Sequence, residues 1–308
     1  YSLYGATRKP TPQMLEGIDV MVYDIQDVGV RSYTFISTLG LVMEACAEKG
    51  IEVVVLDRPN PLGGEKVEGP LVESGYKSFV SQYPIPYVYG LTAGELALLL
   101  NGEGMLRNGI KADLEIVPMQ GWEREMLWDE TGLPWVLTSP HIPQPITAIF
   151  YPASGIIGEL NTISIGVGYT LPFQAFLATW IDAIKLCDHL NALQLPGWTF
   201  RPIYAKPYYG ADQGKSAQGV QPYITDYSKA NLSLLQFYVV EAIEKLFPTH
   251  NPIRNAKESR LNMFDKVCGS SKIRKTFLDS GCKVSSIEEM WNAPAEEFRQ
   301  RRKPYLLY

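Results

Sequence analysis

The sequence predicts an α/β protein, with a Rossmann-like parallel-sheet domain over residues 1–168 followed by a smaller α/β domain over 169–308. Three observations carry that prediction. Short β-branched apolar runs alternate with helical stretches through the first half. Acidic and glycine-containing loops follow two of those runs directly, as at the carboxyl ends of parallel strands. After a proline- and aromatic-rich break the alternation resumes over shorter segments, and 308 residues favour two domains over one.

The elements follow in order. IDVMVYDI (18–25) reads as a first strand, and 35–49 as a helix that stops at Gly50, a suitable C-cap. IEVVVLD (51–57) is apolar on both alternating faces, which predicts a strand buried on both sides. Two strands joined by a helix make a βαβ unit with a right-handed crossover. Thr92 with Glu95 three residues on is a capping box opening a helix, and LEIVPM (114–119) is another strand. GLPWVLTSPHIPQP (132–145) is irregular and long enough to be read as a functional loop. A helix over 146–157 and a strand over 162–168 close the first domain. In the second, 179–193 is helical, 199–207 extended, 219–226 a strand and 232–247 an amphipathic helix. Three short helices end in a basic run, 299–303, read as a solvated helix face.

Composition excludes several classes of function. Charged residues make up 20% and the net charge is −5, which gives no electrostatic case for nucleic-acid binding. No apolar run approaches the ~20 residues of a membrane span. Cys46, Cys187, Cys268 and Cys282 contain no C-x-x-C pair and His141, His189 and His250 are scattered, so no metal site is expected. Cys268 and Cys282 are within bridging reach in sequence, but two separate buried thiols are the preferred reading. There is no G-x-G-x-x-G after a strand. GADQGKS (210–216) imitates a phosphate loop with its first glycine one residue too close and a strand following it, so no nucleotide is expected. The chain opens at Tyr1, on YSLYG, with no methionine and no signal segment, so it reads as a piece whose beginning lies upstream.

Ligands of parallel sheets bind outside the carboxyl ends of the strands. DIQDVGVRSYT (24–34) and DRPNPLGG (57–64) occupy two such ends and offer Asp24, Gln26, Asp27, Arg31, Tyr33, Asp57, Arg58 and Asn60. The competing reading is that these residues cap the next helix and fix the loops, Asp24 and Asp57 above all. Cleaving a glycosidic bond calls for carboxyl groups flanking it, and Asp27, Glu68 and Glu159 are the candidates for acid, base or positioning roles. Arg31 and Arg58 suit an anionic ligand through their two-pronged guanidinium, or else pair internally with Asp27 or Asp57. Aromatics at Tyr83, Tyr87 and Tyr89, and at Trp122, Trp128 and Trp135, offer faces for a sugar ring or for the core.

The stretches YSLYGATRKPTPQML, DVMVYDIQDVGVRSYTFISTLG, VVVLDRPNPLGGEKVEGP, YPIPYVYGLTAGELA, VPMQGWER, and GLPWVLTSP followed by IFYPASG run in order through most of 1–173. Together they resemble the exo-β-N-acetylmuramidases, peptidoglycan glycoside hydrolases formerly described as a domain of unknown function. The resemblance loosens beyond Phe173, where QGVQPYITD is its clearest part. It implies a cleft holding a terminal muramic sugar, with Ser139 and His141 on its long loop. It also implies release of β-linked N-acetylmuramic acid or a related amino sugar from peptidoglycan fragments, no cofactor, and a periplasmic or secreted setting. The family's proposed catalytic glutamate lies in a Ser-Pro-Glu-His-Gly segment upstream of Tyr1, so it has no number in this sequence. Val167 and Tyr169 stand where the family carries arginine and threonine, and His141 where asparagine is usual, which points to an altered sugar preference. The alternative function is a non-catalytic cell-wall sugar-binding or envelope protein.

Overall fold

The computed structural model describes residues 1–5 and 7–308. Its first sheet has three parallel strands in the order β1-β2-β3: β1 (Val20–Tyr23), β2 (Glu52–Leu56) and β3 (Leu114–Val117). α1 (Phe35–Ala47) and α2 (Ala93–Gly102) connect them. The expected capping box opens α2, with the Thr92 side chain taking the Glu95 amide and Glu95 taking the Thr92 amide. α3 (Pro145–Gly158) leads to a second, antiparallel sheet of order β4-β6-β5, made of β4 (Phe176–Ala178), β5 (Trp198–Ala205) and β6 (Ala217–Ile224). α4 (Ala183–Ala192) packs on it and α5 (Leu235–Leu246) packs on α4 and α3, and α6 (Glu258–Cys268), α7 (Ser271–Asp279) and α8 (Glu288–Arg301) complete the chain. No helix among the described residues is long and apolar enough to cross a membrane.

Four expectations change. β2 is buried on one face only: Val53 and Val55 are sealed under the helices, whereas Leu56 is exposed and Val54 partly so. Its neighbours in register, Val20 and Val22 on β1 and Val117 on β3, are exposed on the same face. Among the described residues both helices of the sheet lie on the other side. Second, the stretch 162–168 is not a strand. Ser164 makes a single bridge to Leu177, and the strand is the later Phe176–Ala178, three residues buried on every side. The turn at Gly166 and Gly168, both at positive φ, ends pairing before it can extend. Third, residues 299–303 are not a solvated face. Arg302 is buried and donates to the carbonyls of Gly64 and Gly90, and Arg299 donates to Val67. Arg301 pairs with Glu103. Fourth, Tyr83, Tyr87 and Tyr89 are wholly inside, so they offer no face to a ligand. The four cysteines are free and buried, as expected.

The hydrophobic core binds the two halves together. Val28, Val30, Leu62, Tyr87 and Val88 of the first half lie in one apolar cluster with α3, α5 and the C-terminal helices. Ala295 and Phe298 of α8 enter the cluster beneath the parallel sheet.

Candidate active site

The two loops at the strand ends do meet, but most of their polar groups are already engaged. Asp57 accepts hydrogen bonds from the Thr92 hydroxyl (2.6 Å), the Gly94 amide (2.8 Å), the Arg58 amide (3.1 Å) and the Tyr308 hydroxyl (2.8 Å). Burial nevertheless pushes its carboxyl up, those bonds opposing. Asp24 pairs with Arg58 at 2.7 Å in a half-exposed ion pair. Asn60 donates to the Leu91 carbonyl and accepts the Leu62 amide, so it organises its own loop. Gly29, at φ +74, lies against the Asn60 side chain where a Cβ would collide with it. Asp24, Asp57 and Arg58 border a 490 Å³ hollow with Trp122, Met119 and Leu133.

Arg31 is the plainest correction. It is fully buried, and its guanidinium donates to Ser81, to the carbonyls of Pro70 and Ile85 and to that of Val267. It ties the first half to α6, and no ligand carboxylate has access to it. Burial pulls its pKa down to about 10. Glu68 is likewise committed. It accepts from the Leu232 and Ser233 amides and the Ser233 hydroxyl, capping the approach to α5, and lines a separate 520 Å³ cavity with Lys66.

Asp27 is the strand-end carboxyl under most strain. It accepts from the Gly29 amide at 2.7 Å and from the Tyr89 hydroxyl, while its Oδ1 is buried without a partner. Burial raises its pKa to about 6, with Tyr89 and the Gly29 and Val28 amides opposing. Gln26 Nε2 donates to the Asp27 and Pro59 carbonyls, and Gln26 Oε1 and the Tyr33 hydroxyl are also buried and unpartnered. Burial drives Tyr33 up to about 12. The long loop docks here, the Thr138 hydroxyl donating to the Gln26 carbonyl at 2.7 Å. Ser139 accepts the His141 amide, and the exposed His141 ring lies 6.3 Å from Tyr209.

Glu159 has a different setting. It stands just beyond α3 in a 420 Å³ pocket lined by Tyr151, Asn161, Ser164, Val167, Tyr209 and Arg260. Among the described residues its carboxylate accepts no hydrogen bond and has no salt-bridge partner, and the Arg260 guanidinium is equally uncommitted. Burial raises the Glu159 pKa, with the Arg260 charge opposing. Tyr151 stands between this pocket and the Asp27 loop. Its hydroxyl is 3.1 Å from Ser32, and its ring packs edge-on against Tyr33 at 5.8 Å. Of Asp27, Glu68 and Glu159, only Glu159 has a carboxylate without a hydrogen-bond partner among the described residues. Nothing in the sequence pointed to Arg260, which comes from α6, or to Tyr151. Asn161 lies beside, and Ser164 within, the stretch that the sequence predicts as a strand, and the sequence assigns neither a role.

Fold and site together define a two-sheet α/β protein with a polar pocket beside α3. The chain belongs to the exo-β-N-acetylmuramidase NamZ family: the N-terminal family model matches residues 1–146 and the C-terminal model residues 149–308. It is 43% identical over 308 residues to the peptidoglycan β-N-acetylmuramidase NamZ of Bacillus subtilis (strain 168), spanning 72% of that protein. The crystal structure of a DUF1343 family protein from Bacteroides fragilis matches all of this chain at 53% identity and TM-score 0.97, over 79% of its own length. A second DUF1343 structure from that organism matches 97% of this chain at 28% identity and TM-score 0.74, over 78% of its own length.

Proposed function

We propose that this protein is a glycoside hydrolase that releases terminal β-linked N-acetylmuramic acid, or a closely related amino sugar, from peptidoglycan fragments. The observation that carries the reaction class is the family match along nearly the whole chain. The pocket beside α3 supports a location for the sugar. In this reading Glu159, its pKa raised by burial against the opposing Arg260 charge, donates a proton to the leaving oxygen. Arg260 takes the carboxylate of the sugar's lactyl group, the role the sequence had suggested for Arg31 and Arg58. Asp27 acts from behind as a positioning residue, fixing through Gly29 the loop that carries Ser32 and Tyr33. The long loop that carries Ser139 brings His141 beside Tyr209 of the pocket wall, and the wall substrate implies a periplasmic or secreted setting.

One observation favours a second reading, sugar binding without hydrolysis. Glu159 is the single carboxylate among the described residues lining the pocket, whereas most glycosidases flank the bond with two. An acetamido sugar can supply its own nucleophile, which leaves one acid sufficient. The deciding measurement is turnover of a chromogenic β-N-acetylmuramide against the corresponding β-N-acetylglucosaminide. Hydrolysis of the first is expected, with Arg260→Gln lowering kcat/KM about 10–100-fold on the muramide and leaving the glucosaminide rate unchanged. Saturable binding with no turnover of either would favour the second reading.

A further inference from the structure

Outside the pocket, three separate segments bring aromatic rings to one place. His141 comes from the long loop, Tyr169 from the glycine turn after Ser164, and Tyr208 and Tyr209 from the connection between β5 and β6. The Tyr169 and Tyr208 rings lie nearly parallel, 15° apart with centroids at 6.3 Å. The Tyr209 and His141 rings are tilted by 30°, also with centroids at 6.3 Å. Tyr208 and Tyr209 are 69% and 64% exposed, and among the described residues none of the three tyrosine hydroxyls has a hydrogen-bond partner.

This rim is held in place rather than trailing. Gly168, at φ +80, lets the turn approach so closely that a Cβ there would sit 2.7 Å from that of Tyr209. The 207–214 loop closes on itself through the Gly214 amide and the Pro207 carbonyl (2.8 Å), and Asp212 accepts the Thr179 amide at 3.0 Å. Exposed Tyr208, Tyr209 and His141, with half-buried Tyr169 beside them, leave apolar ring surface in water. Tyr209 belongs both to this array and to the wall of the Glu159 pocket. A ligand seated in the pocket and continuing outward therefore passes over the rings.

We propose that Tyr169, Tyr208, Tyr209 and His141 form a second sugar subsite, which stacks the next residue of the glycan fragment after the pocket has taken the first. A pyranose offers the matching chemistry, with an apolar C–H face for the rings and hydroxyls at its edge for the free tyrosine hydroxyls. This inference rests on the pocket being the site of the terminal sugar.

The test uses Tyr169→Ala/Tyr208→Ala, two rings that lie outside the pocket. The KM for an N-acetylmuramyl-N-acetylglucosamine disaccharide is expected to rise about 5–10-fold with kcat unchanged. Inhibition by free N-acetylmuramic acid should keep its constant, and Tyr169→Phe/Tyr208→Phe, which keeps the rings and loses the hydroxyls, should recover most of the KM. An unaltered disaccharide KM, or an equal rise in the monosaccharide constant, overturns the subsite. Should the native protein bind without hydrolysing, the hydrolase reading fails while the subsite is still decided by calorimetry. Tighter binding of disaccharide than monosaccharide, lost in the double alanine variant, sustains it, and equal affinities in the native protein overturn it.

Discussion

The loops at the ends of the parallel strands and the pocket beside α3 are both rich in polar side chains, but those side chains are in opposite conditions. At the strand ends Asp57 has four donors, Arg31 has four acceptors, and Asn60 is committed to its own loop. In the pocket Glu159 and Arg260 face the same space with no partner among the described residues. A buried charge with every bond made is part of the scaffold, and removing it leaves its partners stranded. Half-buried Glu159 and exposed Arg260 make no such bond among the described residues, and their bonding capacity is left for a ligand. The number of polar groups does not distinguish the two regions; their unused capacity does.

Substitutions can break that contrast. The largest effect is expected at Glu159→Gln, a loss of about 10³-fold in kcat with a melting temperature within a few degrees of native. A variant that unfolds instead would put Glu159 with the scaffold. Arg31→Ala is the mirror case. It strands three carbonyls and a hydroxyl and opens a cavity, so chemical denaturation should report a loss of about 4 kcal/mol or more. Specific activity of the remaining folded protein should be preserved, and a selective loss of activity would return Arg31 to the site.

Asp27 sharpens the comparison through pH. Its folded pKa, about 6, lies above the ordinary 3.8, so the native state holds the proton more tightly than the unfolded chain. The resulting stability is fully present below about pH 4 and is lost as pH rises through about 6, a change of roughly 3 kcal/mol. Denaturant titrations from pH 4 to 8 should show that decline, and Asp27→Asn should flatten it. The smallest effect is expected at Tyr308→Phe, which removes one donor from Asp57 and should cost about 1 kcal/mol by the same titration.

Much of the fold was legible in the sequence, because β-branched runs and helical periodicity are local. The three parallel strands, the Thr92–Glu95 capping box and the helices from α3 to α8 follow from residues within a turn or two of one another. The site was legible only in part. Glu159 and the Asp27 loop stood out by type and position. Whether a carboxylate or guanidinium is free depends on partners far along the chain, and Arg31 bonds to Val267 across 236 residues. The meeting of Glu159, just beyond α3, and Arg260 of α6 in one pocket has no signature in spacing. The basic run at 299–303 failed for the same reason: its acceptors are carbonyls of Gly64, Val67 and Gly90, which no composition rule anticipates.

Those contacts bear on how the protein is made. Glu103 meets Arg301 only after another 198 residues have been added, and the same closing segment brings Ala295 and Phe298 beneath the parallel sheet. At roughly 5–20 residues per second, a ribosome needs about 10–40 s to cover that distance. Throughout that interval the nascent first half lacks the segment that packs beneath its sheet, a window in which holding chaperones have an unfinished chain to work on.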